Sequence, residues 1–165
     1  PPGTGKTEIA KIMGRIFSSI GVLKKNRFRK VTRADLIAGY LGQTAMKTRD
    51  VIKDCLGGVL FIDEAYALGN REKRDSFAKE CIDTLCEALS DHKDNLMVII
   101  AGYKDEIENV FFKANKGLKS RFIWRFYEGT RPFFHHLQIA ANEICMHVTL
   151  PSSKKESFSN NTKQI

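Results

Sequence analysis

Pro1-Pro2-Gly3-Thr4-Gly5-Lys6-Thr7 opens the chain, and its reading decides the fold. A glycine-rich turn that runs straight into a helix points consecutive backbone N–H groups into one concavity, where they cradle polyphosphate. Gly3 and Gly5 let the backbone wrap without side-chain clashes. Lys6 is placed to reach the outer phosphates, and the Thr7 hydroxyl to ligate Mg²⁺. The stretch fits G-x-x-x-x-G-K-[ST] when the first Gly stands one position before Pro1, so Pro2, Gly3, Thr4, Gly5, Lys6 and Thr7 are the candidate phosphate-binding residues. A strand precedes such a loop. Neither that strand nor an initiator Met is in the sequence, which reads as a piece lacking its N-terminus, where any targeting segment would lie.

Outward from the loop, apolar residues at helical spacing (Ile9, Ile12, Met13, Ile16, Phe17, Ile20) predict a helix ended by Gly21. Phe28 to Thr32 suits a short strand and Arg33 to Ile37 a helical turn. A third helix is expected from about Thr44 to Leu56, stopped by Gly57-Gly58. Val59-Leu60-Phe61-Ile62 is a continuous apolar run ending in Asp63-Glu64, the pattern of a strand buried on both faces of a parallel sheet. After a polar stretch, Phe77, Cys81, Ile82, Leu85, Cys86 and Leu89 line one helical stripe. Leu96 to Ala101 reads as a second buried strand, followed by a helical segment from about Asp105 and a strand around Phe122 to Phe126. Strands alternating with helices argue for an open, mostly parallel α/β sheet with flanking helices.

Asp63 at the carboxyl end of a buried strand stands where ligands bind in such sheets, and a carboxylate there holds Mg²⁺ directly or through water. Glu64 beside it is suited to orient or deprotonate an attacking water. That pairing favours hydrolysis over phosphoryl transfer to a metabolite, and so argues against a monomeric kinase. Tyr40-Leu41-Gly42 lies between the two motifs. Composition leaves open whether Tyr40 touches a partner or packs on its own surface. Arg121, just ahead of the last predicted strand, is by itself an ordinary surface residue or a finger for a neighbouring subunit's phosphate.

The net charge of +8 is densest over Lys24, Lys25, Arg27, Arg29, Lys30 and Arg33. Such a patch can bind a nucleic-acid backbone. No aromatic residues interleave in a stacking pattern, so a solvated loop is the preferred reading and a nucleic-acid partner is not expected. No apolar run approaches the roughly 18 residues of a membrane span. Cys55, Cys81, Cys86 and Cys145 are scattered without metal-ligand spacing and read as buried thiols of an intracellular protein, cytoplasmic or organellar.

Taken together, the motifs resemble the AAA+ ATPases, and within them the CbbX/SpoVK group, whose members include the red-type Rubisco activase. The resemblance rests on Pro1 to Thr7, Val31-Thr32-Arg33-Ala34-Asp35-Leu36, Gly39 to Ala45 with Lys47-Thr48, Gly57 to Tyr66, Val98 to Tyr103 and Gly117 to Phe122. It spans about residues 1 to 126. It implies an ATP- and Mg²⁺-dependent hydrolase that works as a hexameric ring. In that ring Tyr40, Leu41 and Gly42 form a pore loop gripping a client protein, and Glu64 is the hydrolytic carboxylate. Arg121 then acts in trans on a neighbour's nucleotide. Tyr103 falls where many such proteins carry a polar sensor, and no role is assigned to it.

The expected organisation is an ATPase core over 1–130 without its first strand, the start of a helical lid over 131–150, and an irregular tail over 151–165. The lid rests on helical spacing from about Arg131 to Val148 (Phe133, Leu137, Ala140, Ala141, Ile144, Val148). No residue suits the lid's nucleotide sensor, so the 165 residues alone are expected to hydrolyse ATP weakly or not at all. A DNA-directed loader, or a degenerate family member that binds nucleotide without turnover, are the alternative readings.

Overall fold

The structure, a computed structural model, describes residues 5–40, 42–69, 75–122, 124–128 and 144–149. Helix α1 (Lys6–Ser19) leads to strand β1 (Phe28–Val31), a single turn α2 (Arg33–Leu36) and α3 (Gln43–Cys55). Strand β2 (Val59–Ile62) ends in a 3₁₀ turn (Ala65–Leu68), followed by α4 (Ser76–Asp91) and β3 (Met97–Tyr103). The chain then runs through α5 (Lys104–Glu106), a π-helical turn (Ile107–Phe111), α6 (Phe112–Ala114) and α7 (Lys116–Arg121) into β4 (Trp124–Glu128) and β5 (Ile144–Val148).

The sheet order is β1-β2-β3-β5-β4. Strands β1, β2 and β3 are mutually parallel, with Phe61 level with Lys30 and Ile99. Strand β5 pairs antiparallel with both β3 and β4, so four of the five strands share one direction. The mostly parallel α/β sheet read from the sequence is therefore the fold.

The apolar runs of β2 and β3 are continuous because both faces of these strands are covered. Val59, Phe61, Met97, Ile99 and Ala101 face α1, meeting Ala10, Met13 and Phe17. Leu60, Ile62, Val98 and Ile100 face the other way, into a larger core with Val51, Ile52, Cys81, Ile82, Leu85, Phe111 and Phe122. Each such side chain contributes about 1.5–3 kcal/mol by leaving water. The two cores thereby fix the carboxyl ends of β1, β2 and β3 side by side.

Two elements extend or correct the sequence reading. On α1, Ile9, Ile12, Ile16 and Ile20 are 44–52% exposed and do not enter the core. The helix rests on the sheet through Ala10, Met13, Gly14 and Phe17, and the isoleucine row runs along its flank. The second is the C-terminal region, where Ile144–Val148 is a strand and not the end of a lid helix. Pairing explains the change: β5 fills the position between β3 and β4, and beyond it Thr149 N donates to Val98 O at 2.9 Å while Val98 N donates to Thr149 Oγ1 at 2.8 Å. Two full ladders outweigh the helical spacing of one short segment. Residues 131–143, the remainder of the expected lid segment, and the tail 151–165 lie outside the described residues.

Candidate functional site

Three segments converge where β1 and β2 end. Gly5 has φ 76°, a left-handed conformation that favours glycine, and turns the chain into α1 so that Lys6 and Thr7 form its first turn. Asp63 follows β2 directly and continues the ladder through its N–H, which donates to Val31 O at 3.0 Å. Its Oδ1 accepts from Glu64 N at 3.1 Å. Its Oδ2 lies 2.7 Å from the Lys30 ammonium, which is also 3.4 Å from Thr7 Oγ1. Thr7 and Asp63, distant in sequence, thus stand around one cation. Pro2, Gly3 and Thr4 lie outside the described residues.

The donors suit Mg²⁺. A hydroxyl and a carboxylate are hard oxygen ligands of the kind this ion takes, so Thr7 and Asp63 would hold it. The position between them already holds a positive charge from the protein itself.

Glu64 is the one non-glycine residue with positive φ among the described residues, at φ 51° and ψ 46°. A strained conformation of this kind marks a side chain whose direction the surroundings impose. Tyr66, two residues on, lies near enough for the Glu64 carboxylate charge to act on its phenol. Burial, then the Glu64 charge, push the Tyr66 phenol up to about 12, so it remains a donor. The Tyr66 ring lies against Tyr103, with centroids 6.0 Å apart. A Cβ on Gly102 would come within 2.8 Å of Tyr66 Cδ1 and 3.1 Å of Ile107 Cδ1, so glycine there gives the tyrosine its place against β3. Tyr103, to which no role is assigned above, packs beside Tyr66.

Replacing Tyr66 by Phe is expected to keep the ring packing and remove the hydroxyl near the Glu64 charge. In the intact protein, kcat for ATP should fall by up to about tenfold, the scale of one polar contact to a charged group, with KM little changed. An unaltered kcat would leave Tyr66 as packing alone.

Tyr40 is 74% exposed and so does not pack into the described core. The stem beneath it is firmly held. Lys47 Nζ donates to Ala34 O at 2.7 Å and Ile37 O at 2.9 Å. Thr48 Oγ1 donates to Leu36 O at 2.9 Å, and Ala38 N donates to Thr44 Oγ1 at 3.1 Å. Gly42 caps α3 with φ 77°. Leu41 lies outside the described residues.

Arg121 is the last residue of α7 and is not part of this cluster. Its Nε and Nη2 donate to Ser90 Oγ at 3.0 and 2.7 Å, and its Nη1 to Gly117 O at 2.7 Å. Ser90 closes α4 just before β3 begins, and Arg121 precedes β4, which runs in the same direction. Both therefore stand at the amino-terminal edge of the sheet, while Asp63 and Glu64 leave its carboxyl edge. The seven residues of β3 at about 3.3 Å each put some 20 Å of strand between the two edges.

The basic run is largely paired within the chain. Arg27 Nη1 donates to Asp54 O, Arg29 pairs with Asp54, Lys30 with Asp63, and Arg33 with Asp75. Burial pushes the thiols of Cys55 and Cys81 up to about 11 and raises that of Cys86, which leaves them protonated and unreactive. No helix among the described residues is long and apolar enough to cross a membrane.

A glycine turn opening a helix beside a strand-end carboxylate, in a mostly parallel sheet, is the architecture of a P-loop nucleotide-binding domain. The family can be given more closely. Residues 1–123 match the model of the ATPase family associated with various cellular activities (AAA), and the chain belongs to that family. It is 48% identical over 121 residues to stage V sporulation protein K of Bacillus subtilis and 44% identical over 120 residues to the plasmid-encoded protein CbxX of Cupriavidus necator. It is also 46% identical over 122 residues to the ESX-3 secretion system protein EccA3 of Mycolicibacterium smegmatis. These alignments take in 73%, 73% and 74% of this chain but only 37%, 38% and 20% of the relatives. The CbbX/SpoVK-like AAA+ resemblance read from the motifs is the family found.

Proposed function

We propose that the intact protein is an ATP-driven protein remodeller whose AAA modules close into a hexameric ring. ATP binds over the α1 N-terminus, with the backbone of the loop and Lys6 on its phosphates. Mg²⁺, when bound between Thr7 and Asp63, neutralises phosphate charge. Glu64, set by its left-handed backbone, takes the proton of the attacking water. Arg121 of a neighbouring subunit stabilises the charge that spreads over the γ-phosphoryl oxygens, so catalysis is mostly positioning and electrostatics.

The observation that carries this reading is the separation of Arg121 from Asp63 and Glu64 by the height of the sheet. An arginine at the wrong edge for its own site is well placed for the next site around a ring, where the same surfaces meet head to tail. The exposed Tyr40 on a braced stem supplies the contact by which hydrolysis would move a client. A DNA-directed reading is less favoured, because Arg27, Arg29, Lys30 and Arg33 have partners within the chain.

Sedimentation of the intact protein carrying Glu64→Gln tests the reading. Assembly to about six subunits in Mg-ATP, and dissociation without nucleotide, is the expected result. A monomer that binds ATP would remove the ring and the pore loop together.

A further inference from the structure

Lys30 was read in the sequence only as part of a basic run. In the structure it leaves β1 level with Phe61, passes over that ring with Nζ 6.0 Å from the centroid, and ends at the acidic end of β2. Its ammonium is 2.7 Å from Asp63 Oδ2 and 3.4 Å from Thr7 Oγ1. The other carboxylate oxygen is already taken by Glu64 N. The Asp63 side chain is 18% exposed and that of Lys30 44%, so the pair sits at the mouth of the site and not in bulk solvent. The oxygen that would face a metal is therefore neutralised by a cation on a flexible four-carbon stem.

We propose that Lys30 is a tethered counter-cation of the nucleotide site, occupying the position between Thr7 and Asp63 that a divalent ion would take. The inference rests on the nucleotide-site reading above. An ammonium and a divalent ion against the same carboxylate, a few ångströms apart, repel. Metal entry therefore displaces Lys30 from its close contact with Asp63, which weakens metal binding. With the metal absent, the same ammonium faces the phosphates and supports nucleotide binding unaided. Lys30 sets how strongly this site depends on metal.

The test uses the intact protein, a fluorescent ADP analogue titrated in Mg²⁺ and in EDTA, and Mn²⁺ binding to the ADP complex followed by electron paramagnetic resonance. The natural protein should bind the analogue with less than about threefold difference between the two conditions. Lys30→Met keeps the stem and removes the charge. It should make binding fall about tenfold or more in EDTA, and should tighten Mn²⁺ about tenfold, the scale of one charge-assisted hydrogen bond. Lys30→Gln, which retains a polar end without charge, should follow Lys30→Met and guards against a folding defect in either. Unchanged Mn²⁺ affinity in both variants, with the analogue still bound, would overturn the role of Lys30 and leave the nucleotide site standing. If neither the natural protein nor the variants bind the analogue, the nucleotide-site reading itself fails and takes this inference with it.

Discussion

Glu64→Gln and Arg121→Ala proteins, each nearly inactive alone, should recover ATP hydrolysis when mixed. The expectation follows from where the two groups stand. Glu64 leaves the carboxyl edge of the sheet and Arg121 ends α7 at the other edge, about 20 Å of strand away. No rotamer of an arginine covers that distance, so a site that needs both groups must take them from two chains. Losing the water-activating carboxylate is expected to lower turnover by about 10² or more, on the scale of general-base loss. Losing a trans-acting arginine should cost about 10³ or more. In a randomly mixed ring, an Arg121→Ala subunit beside a Glu64→Gln subunit combines a sound carboxylate with a sound arginine, and about a quarter of the interfaces should be of this kind. A coupled-enzyme assay of the equimolar mixture, against each variant alone, gives the answer. A mixture no more active than its components, while sedimenting as a ring, would mean that Arg121 does not act across the interface.

The hydrogen bonds from Arg121 to Ser90 and Gly117 bear on the size of that effect. They turn the guanidinium back along its own helices, using Nε, Nη1 and Nη2 at once. Under the proposed role in trans, reaching a neighbour's phosphate would give up some of these contacts, and a finger held in this way would couple activity to ring closure.

The sheet was legible because burial on two faces writes itself as unbroken apolar runs. Val59–Ile62 and the strand from Met97 stood out for that reason, and α3 and α4 for their spacing. The C-terminal region was misread over Ile144–Val148 because its spacing fits a helix, while its fate depends on ladders offered by β3 and β4, distant partners that periodicity does not see. The helix α1 was legible from its apolar spacing, but periodicity reports a stripe and not which part of it faces the sheet, and the isoleucine row stays exposed. In the site, Asp63 and Glu64 were visible as a pair at a strand end. Lys30 was hidden in a run of like charges, where only the parallel register of β1 against β2 reveals which lysine meets the carboxylate. Tyr66 stood in plain view two residues after Glu64, and only the structure shows it packed on Tyr103 within reach of the Glu64 charge.

Tyr40→Ala should separate hydrolysis from work. Tyr40 makes its exposure at the tip of a loop whose stem is fastened by Lys47, Thr44 and Thr48 to the turn that follows β1. That turn begins at Thr32, whose N–H donates to Asp35 Oδ2 at 2.7 Å and closes a capping box directly beyond the strand bearing Lys30. The loop is thereby braced, through α2, to the strand that carries Lys30 to the site. Removing the aromatic ring takes nothing from the nucleotide site, so basal turnover in the intact protein should stay within about twofold. What should disappear is the stimulation of turnover by an unfolded polypeptide, with casein as the probe, because an exposed aromatic side chain is what grips an extended chain regardless of its sequence. Tyr40→Phe keeps the ring and should retain the stimulation, which separates grip from a general effect on the loop. Equal stimulation of the natural protein and Tyr40→Ala would mean that the client is held elsewhere, and the bracing of this loop would then need another explanation.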